Sequence, residues 1–173
     1  RSLVGSEMCI RDSCTSQNIP VTNVPDYCLQ EVAEHTLASV YSLGRHINTY
    51  NLNSKAGKYD REVTPPLRRL KGQTLGIIGL GNIGQRVAEL ANTLGFRVLG
   101  FRQDMTKTVP GVELVLFEDL ISQSDFITLH LPLTDTNHHM IGAEQFQNMK
   151  STAYLVNTAR GGLIDLSLIH ISE

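Results

Sequence analysis

The sequence predicts an α/β fold: a doubly wound parallel sheet, truncated, preceded by a long helix. Three observations carry this. From residue 71 onward, short apolar segments alternate with segments of helical periodicity, and that alternation favours parallel strands with helices on both faces. The first apolar segment runs directly into a glycine-rich turn that opens a helix. Finally, 41% of the 173 residues are hydrophobic and 18% charged, enough apolar material for one sizeable core and about one domain.

Residues Pro20 to Pro25 read as extended, because each proline disfavours helix in the residue before it. Asp26 is placed to cap the helix after it. Leu29, Val32, Ala33, Thr36, Leu37, Val40, Tyr41, Leu43, Gly44 and Ile47 recur at helical spacing, which predicts one long amphipathic helix from Leu29 to Tyr50. Asn51 to Arg69 is polar, contains Pro65-Pro66 and reads as a connecting loop. Thr74 to Ile78 is the first strand. Ile83 to Leu94 is a helix that Gly95 is placed to end. Strands follow at Phe96 to Phe101, Val112 to Leu116, Phe126 to Leu131 and Ala153 to Asn157, with helices at Phe117 to Gln123 and Ala143 to Met149 between them. There is no internal repeat and no low-complexity tract.

Composition excludes several classes of function. A balance of 15 basic against 17 acidic residues, net charge −2, makes no electrostatic case for nucleic acid or a membrane surface as partner. Trp is absent and aromatics are 6%, so base-stacking platforms are not expected. No apolar run approaches the ~18 residues a membrane helix needs. Cys9, Cys14 and Cys28 have neither a disulfide framework nor a metal spacing. No metal site is expected, and a reduced, cytoplasmic compartment is the default.

The two ends share a property that folding does not explain. One back-translation of Leu166 to Glu173 is CTG TCT CTT ATA CAC ATC TCC GAG; its reverse complement, read from the second base, encodes Ser6 to Asp12. The ends therefore read as one DNA segment in opposite orientations, resembling a transposase sequencing adapter. Residues 1–13 and 166–173 are set aside from fold reasoning as adapter-derived, with exposed apolar side chains expected at Leu3, Val4, Ile10, Leu168 and Ile169.

Strand Thr74–Ile78 leads into Gly79-Leu80-Gly81-Asn82-Ile83-Gly84 and then a helix, the context a GxGxxG sequence requires for dinucleotide binding. Gly79 permits the tight turn, Gly81 lets the backbone approach a pyrophosphate, and Gly84 lets helix pack on strand. The helix N-terminus offers free N–H groups and the positive end of a dipole to phosphate. The bland reading is a glycine-rich turn without a ligand. A carboxylate that would bind the ribose hydroxyls is expected roughly 20 residues on, at the end of the second strand. Arg102 stands there, with Asp104 beyond it. Arginine at that place pairs with a 2′-phosphate, so NADP is favoured over NAD; the alternative is a solvated Arg102 with Asp104 on the ribose.

Four blocks now make a family legible: Val32-Ala33-Glu34-His35-Thr36-Leu37; Thr74 to Gln85; Ser124-Asp125-Phe126 with Thr128-Leu129-His130-Leu131-Pro132-Leu133-Thr134; and Asn157-Thr158-Ala159-Arg160-Gly161-Gly162-Leu163-Ile164-Asp165. In this order the chain resembles the D-isomer-specific 2-hydroxyacid dehydrogenases, and the resemblance stops at Asp165. It implies a Rossmann-like domain, hydride transfer between NAD or NADP and a small 2-hydroxy or 2-oxo acid, and a homodimeric parent protein. Cofactor-binding positions are implied at Gly79, Gly81, Asn82, Ile83, Gly84, Arg102, His130, Leu131, Pro132, Thr158 and Ala159. Arg160 matches the family's substrate arginine, whose planar fork can hold a carboxylate and polarise the adjacent carbonyl. The family's catalytic Glu and proton-shuttling His belong to sequence beyond Asp165, so this chain alone is expected not to turn over. His130 is not promoted in their place. His35 is expected to be an interior or hinge residue, and His138 and His139 to be loop residues without a partner motif. The divisions are thus 14–50, crossover and long interdomain helix; 51–70, connecting loop; and 71–165, an incomplete dinucleotide-binding domain. A second class, a dinucleotide-binding regulator resembling the C-terminal-binding-protein co-repressors, shares these motifs. Arg102 nudges the enzyme reading toward glyoxylate- or hydroxypyruvate-type reductases.

Overall fold

β1 (Thr74–Ile78) is buried at every position, as a strand with neighbours on both sides and helices on both faces must be. The computed structural model describes residues 13–22, 27–60 and 62–169. After β1 come α3 (Asn82–Thr93), β2 (Arg97–Phe101), β3 (Glu113–Leu114), α4 (Phe117–Gln123), β4 (Phe126–Leu129), α5 (Ala143–Asn148) and β5 (Tyr154–Asn157). Before it lie α1 (Leu29–Gly44) and α2 (Ile47–Lys55). The sheet has the order β3-β2-β1-β4-β5 and every pairing is parallel.

Side-chain alternation along the strands sorts the core into two layers. Leu75 and Ile77 of β1, with Val98 and Phe126, pack under Ala33, Leu37 and Val40 of α1 and Val87, Ala88 and Ala91 of α3. Ile78, Leu99, Ile127 and Leu129 face the other way, against Leu120 and Ile121 of α4 and Leu163 and Ile164 beyond β5. Each such side chain stabilises the fold by about 1.5–3 kcal/mol relative to exposure.

Two expectations fail at the front of the chain. The helix expected to run unbroken from Leu29 to Tyr50 is broken: Arg45 caps α1, and His46, at φ 50°, redirects the backbone into α2. Gly44 lies where α1 crosses Leu70 and Phe126; a Cβ there would stand 2.7 Å from each. Past that crossing no core lies beneath the helix. No α2 side chain is buried, and Ile47 is 54% and Leu52 58% exposed. The apolar stripe continues, but nothing among the described residues covers it. In consequence Asn51 to Lys55, expected in the connecting loop, are helical. The residue capping α1 is Cys28, at φ 59°; Asp26 falls outside the described residues.

Elsewhere the boundaries differ by a residue or two. β2 starts at Arg97 because Phe96 and Gly95 donate back to Ala91 and Asn92, closing the end of α3. β4 stops at Leu129. Beyond β5, Asp165 accepts from the Ser167 N–H to close a short turn at Leu166–Leu168. Leu168 and Ile169 are exposed there; Leu3, Val4 and Ile10 lie outside the described residues.

Candidate functional site

The strand order reverses between β1 and β4. In open parallel sheets ligands bind outside the carboxyl ends of the strands at such a switch point. The chain leaves β1 through Gly79–Gly84, β2 through Arg102, β4 through His130–Pro132 and β5 through Thr158–Arg160. All the sequence-predicted site residues therefore fall on one edge.

The three glycines are required for different reasons. Gly79 has φ 97°, and a Cβ on it would stand 2.6 Å from the His130 carbonyl oxygen. A Cβ on Gly84 would collide with the Gly79 carbonyl. At Gly81 a Cβ would meet nothing within 4 Å. Packing thus explains the outer two and leaves the middle one to a ligand needing close backbone approach. Gly81 also caps α3 from an extended conformation, with no side chain bonded to the helix end. Gly81 and Asn82 are exposed and Ile83 half-buried, so the amides of the first turn present a positive helix end with no side-chain cap. These features fit a dinucleotide pyrophosphate.

At the end of β2, Asp104 is turned into its own loop. It accepts from the Thr106 N–H (3.2 Å) and hydroxyl (2.6 Å) and pairs with Lys107 Nζ at 3.1 Å. The Thr106 hydroxyl, above all, holds its carboxyl below the usual carboxylate range. Arg102 Nη1 donates to the Lys107 carbonyl at 3.3 Å. Arg97, at the other end of the strand, is held by Glu113 at 2.8 Å.

His130 donates its backbone N–H to the Ile78 carbonyl at 2.8 Å, seating it beside Gly79. Burial pushes its imidazole down to about 4, and its buried Nε2 has no hydrogen-bond partner among the described residues. It is a neutral ring near pH 7, unlike a proton shuttle poised there. A Cβ on Gly79 would come 2.7 Å from Leu131 Cδ2. The Pro132 carbonyl accepts from Asn137 Nδ2 at 2.8 Å, which shapes the loop after β4.

Arg160 is exposed, its Nη1 donating to the Ala159 carbonyl at 3.1 Å. Its turn is built by residues whose roles sequence reasoning missed. Asn157 accepts from the Ala159 N–H and donates Nδ2 to the Arg160 carbonyl, each at 2.9 Å. An Asn two residues before the bonded amide is a readable turn signal. The Thr158 hydroxyl lies 2.9 Å from that of Thr36 on α1. The only hint of that was a polar residue on the buried face of a helix.

His138 and His139 lie in the loop after β4, as expected. His35 is exposed on α1 rather than interior. The His138 and His139 rings stack at 3.8 Å, and His139 Nδ1 stands 4.0 Å from Asp165, a partner that sequence spacing did not suggest. Among the described residues no group of three or more His, Cys, Asp or Glu could hold a metal ion, and no helix is long and apolar enough to cross a membrane.

Comparison with known proteins agrees with this geometry. Residues 37–170 match the family described as D-isomer specific 2-hydroxyacid dehydrogenase, NAD binding domain; the match extends past Asp165. The chain is 38% identical over 166 residues to a glycerate dehydrogenase of Methylorubrum extorquens, covering 93% of this chain and 51% of that protein. It is 38% identical over 149 residues to a hydroxypyruvate reductase of Thermotoga maritima, covering 86% of this chain and 48% of that one. A crystal structure of D-lactate dehydrogenase with NAD+ from Lactobacillus jensenii superposes with TM-score 0.79 at 31% identity, covering 90% of this chain and 48% of that chain. The chain spans about half the length of these relatives.

Proposed function

Because the chain belongs to the D-isomer-specific 2-hydroxyacid dehydrogenase family, as its NAD-binding domain, we propose that the protein carrying it interconverts a small 2-hydroxy acid and the corresponding 2-oxo acid. The observation that carries this reading is the exposed Arg160 on the same sheet edge as the open cradle at Gly81. A bound nicotinamide would supply or accept the hydride. The helix end at Gly81–Gly84 would hold the pyrophosphate, with Asn82 and Ile83 presenting amides. His130, Leu131, Pro132, Thr158 and Ala159 would line the rest of the cofactor face. Arg160 would hold the acid's carboxylate and polarise the neighbouring carbonyl. The test is a set of assays of the full-length protein against glyoxylate, hydroxypyruvate and pyruvate, following nicotinamide absorbance. Glyoxylate or hydroxypyruvate is expected to give the highest kcat/KM, and no turnover with any 2-oxo acid would overturn the reading.

NADP is the cofactor favoured. Asp104 is engaged by Thr106 and Lys107, which leaves Arg102 as the residue to meet a 2′-phosphate. Charge-assisted bonds of about 1.5–3 kcal/mol correspond to a preference of about ten- to a hundredfold. Arg102→Asp is expected to reverse the NADPH/NADH ratio of kcat/KM; no shift would return the reading to Asp104. The proton-transferring His and its Glu are assigned to sequence beyond Asp165. The 173-residue chain alone is therefore expected to fall at least about 10²–10⁴-fold below the full-length protein. A homodimer is part of the same proposal, supported by the exposed Ile47 and Leu52 of α2 and tested by sedimentation.

A further inference from the structure

We infer that Thr36 and Asn157 are positioning residues for Arg160, Asn157 acting directly on its turn and Thr36 acting through Thr158. This rests on the reading of Arg160 as the substrate arginine.

Thr36 is fully buried on the face of α1 that carries Ala33, Leu37 and Val40. Packing alone would favour valine, which has the same shape without a group to satisfy. Its hydroxyl lies 2.8 Å from the Val32 carbonyl oxygen and 2.9 Å from the Thr158 hydroxyl. A hydroxyl has one proton, and a carbonyl can only accept. The arrangement that satisfies all three groups has Thr36 donating to Val32 and Thr158 donating to Thr36. The Thr158 proton is then committed inward, and its oxygen is an acceptor toward the site. On the other side of the turn, Asn157 grips the Ala159 N–H and the Arg160 carbonyl, each at 2.9 Å. The peptide before Ala159 and the peptide after Arg160 are thereby held to the end of β5. The Arg160 backbone between them is extended, φ −136° and ψ 133°, and needs no strain to stay there. The turn is thus tied to the sheet through Asn157 and to α1 through Thr36. Its exposed arginine has a fixed root, and its Nη1 bonds back onto the Ala159 carbonyl of the same turn.

A misplaced binding group costs rate far out of proportion to the displacement, and one lost buried hydrogen bond is worth about a tenfold effect. The experiment is a double-mutant cycle on kcat/KM for the preferred 2-oxo acid in the full-length protein. Thr36→Val is expected to lower kcat/KM about tenfold, chiefly by raising KM for the acid, and Thr36→Ser to restore it. In an Arg160→Gln background Thr36→Val is expected to have no further effect, because there is no arginine left to place. Asn157→Asp, which keeps the acceptor and removes the donor, is expected to behave in the same way. Where Thr36→Val lowers the melting temperature too far to assay, Thr158→Val breaks the same bond from the half-buried turn, with KM for the nicotinamide followed separately because Thr158 is proposed to line the cofactor face. An unchanged kcat/KM in Thr36→Val, or an equal loss with and without Arg160, overturns the positioning role. Arg160→Gln retaining full activity overturns instead the assignment of Arg160 itself.

Discussion

The two edges of the sheet are built on opposite rules. At the amino edge, Asp125 fastens three strands. It accepts from the Thr74 N–H and from Lys150 Nζ, both at 2.8 Å. Its own backbone donates to the Thr74 carbonyl and accepts from the Tyr154 N–H. At the carboxyl edge the glycine loop is open, the α3 terminus has no side-chain cap, and the buried His130 Nε2 has no partner among the described residues. The difference separates what a substitution costs: stability at the amino edge, binding and rate at the carboxyl edge.

The sharpest contrast comes from Arg160. Arg160→Gln is expected to lower kcat/KM by roughly 10²–10⁴, the loss of a bidentate pair of charge-assisted bonds at about 1.5–3 kcal/mol each. Its melting temperature should stay within a degree or two of wild type, since the side chain is exposed. Differential scanning calorimetry alongside steady-state kinetics separates the two readouts.

Asp125→Ala should show the reverse. It strands the N–H of a nearly buried Thr74, 7% exposed, and frees Lys150. The expected loss is about 2–3 kcal/mol of stability, a melting temperature lower by roughly 5–10 °C. kcat and both KM values of the folded fraction should be unchanged. A kinetic defect without a stability defect would erase the distinction between the edges.

A smaller effect depends on pH. Burial lowers the His130 pKa from 6.5 to about 4, so between those values the unfolded chain binds the extra proton. Stability is fully present above pH 6.5 and falls as pH drops toward 4. From pH 7 to 5 the loss from this group is about 2 kcal/mol. Urea denaturation at the two pH values measures it, and His130→Gln should flatten the dependence. An equally steep dependence in that variant would assign the acid sensitivity to other groups.

Local pattern revealed what local forces decide. β1 was legible because an apolar run ends at Gly79, and α4 because its apolar positions fit a short helix between two strands. The carboxyl-edge placement of Arg160 followed from its place after a strand. What stayed hidden depended on distant partners. Nothing in Leu43, Gly44 or Ile47 says that Leu70 and Phe126 lie under the end of α1 and that no side chain of α2 is buried. The Thr36–Thr158 contact spans 122 positions of sequence. Asp104 could be named as a rival to Arg102, but only the folded loop shows its carboxylate bound to Thr106 and Lys107.

The central claim is that the open space at Gly81 is the seat of a pyrophosphate, and Gly81→Asp tests it with opposing predictions. The position is extended (φ −76°, ψ −166°), caps α3 and has no neighbour within 4 Å of a Cβ. Aspartate is a better helix cap than glycine, and its carboxylate would stand where the phosphates are proposed to bind. Titration calorimetry of the full-length protein with NADPH and NADH, beside a thermal melt, reads both effects. The predicted result is a melting temperature equal to or above wild type together with a loss of dinucleotide affinity of about a hundredfold or more. Retained affinity in a well-folded Gly81→Asp variant would contradict the account.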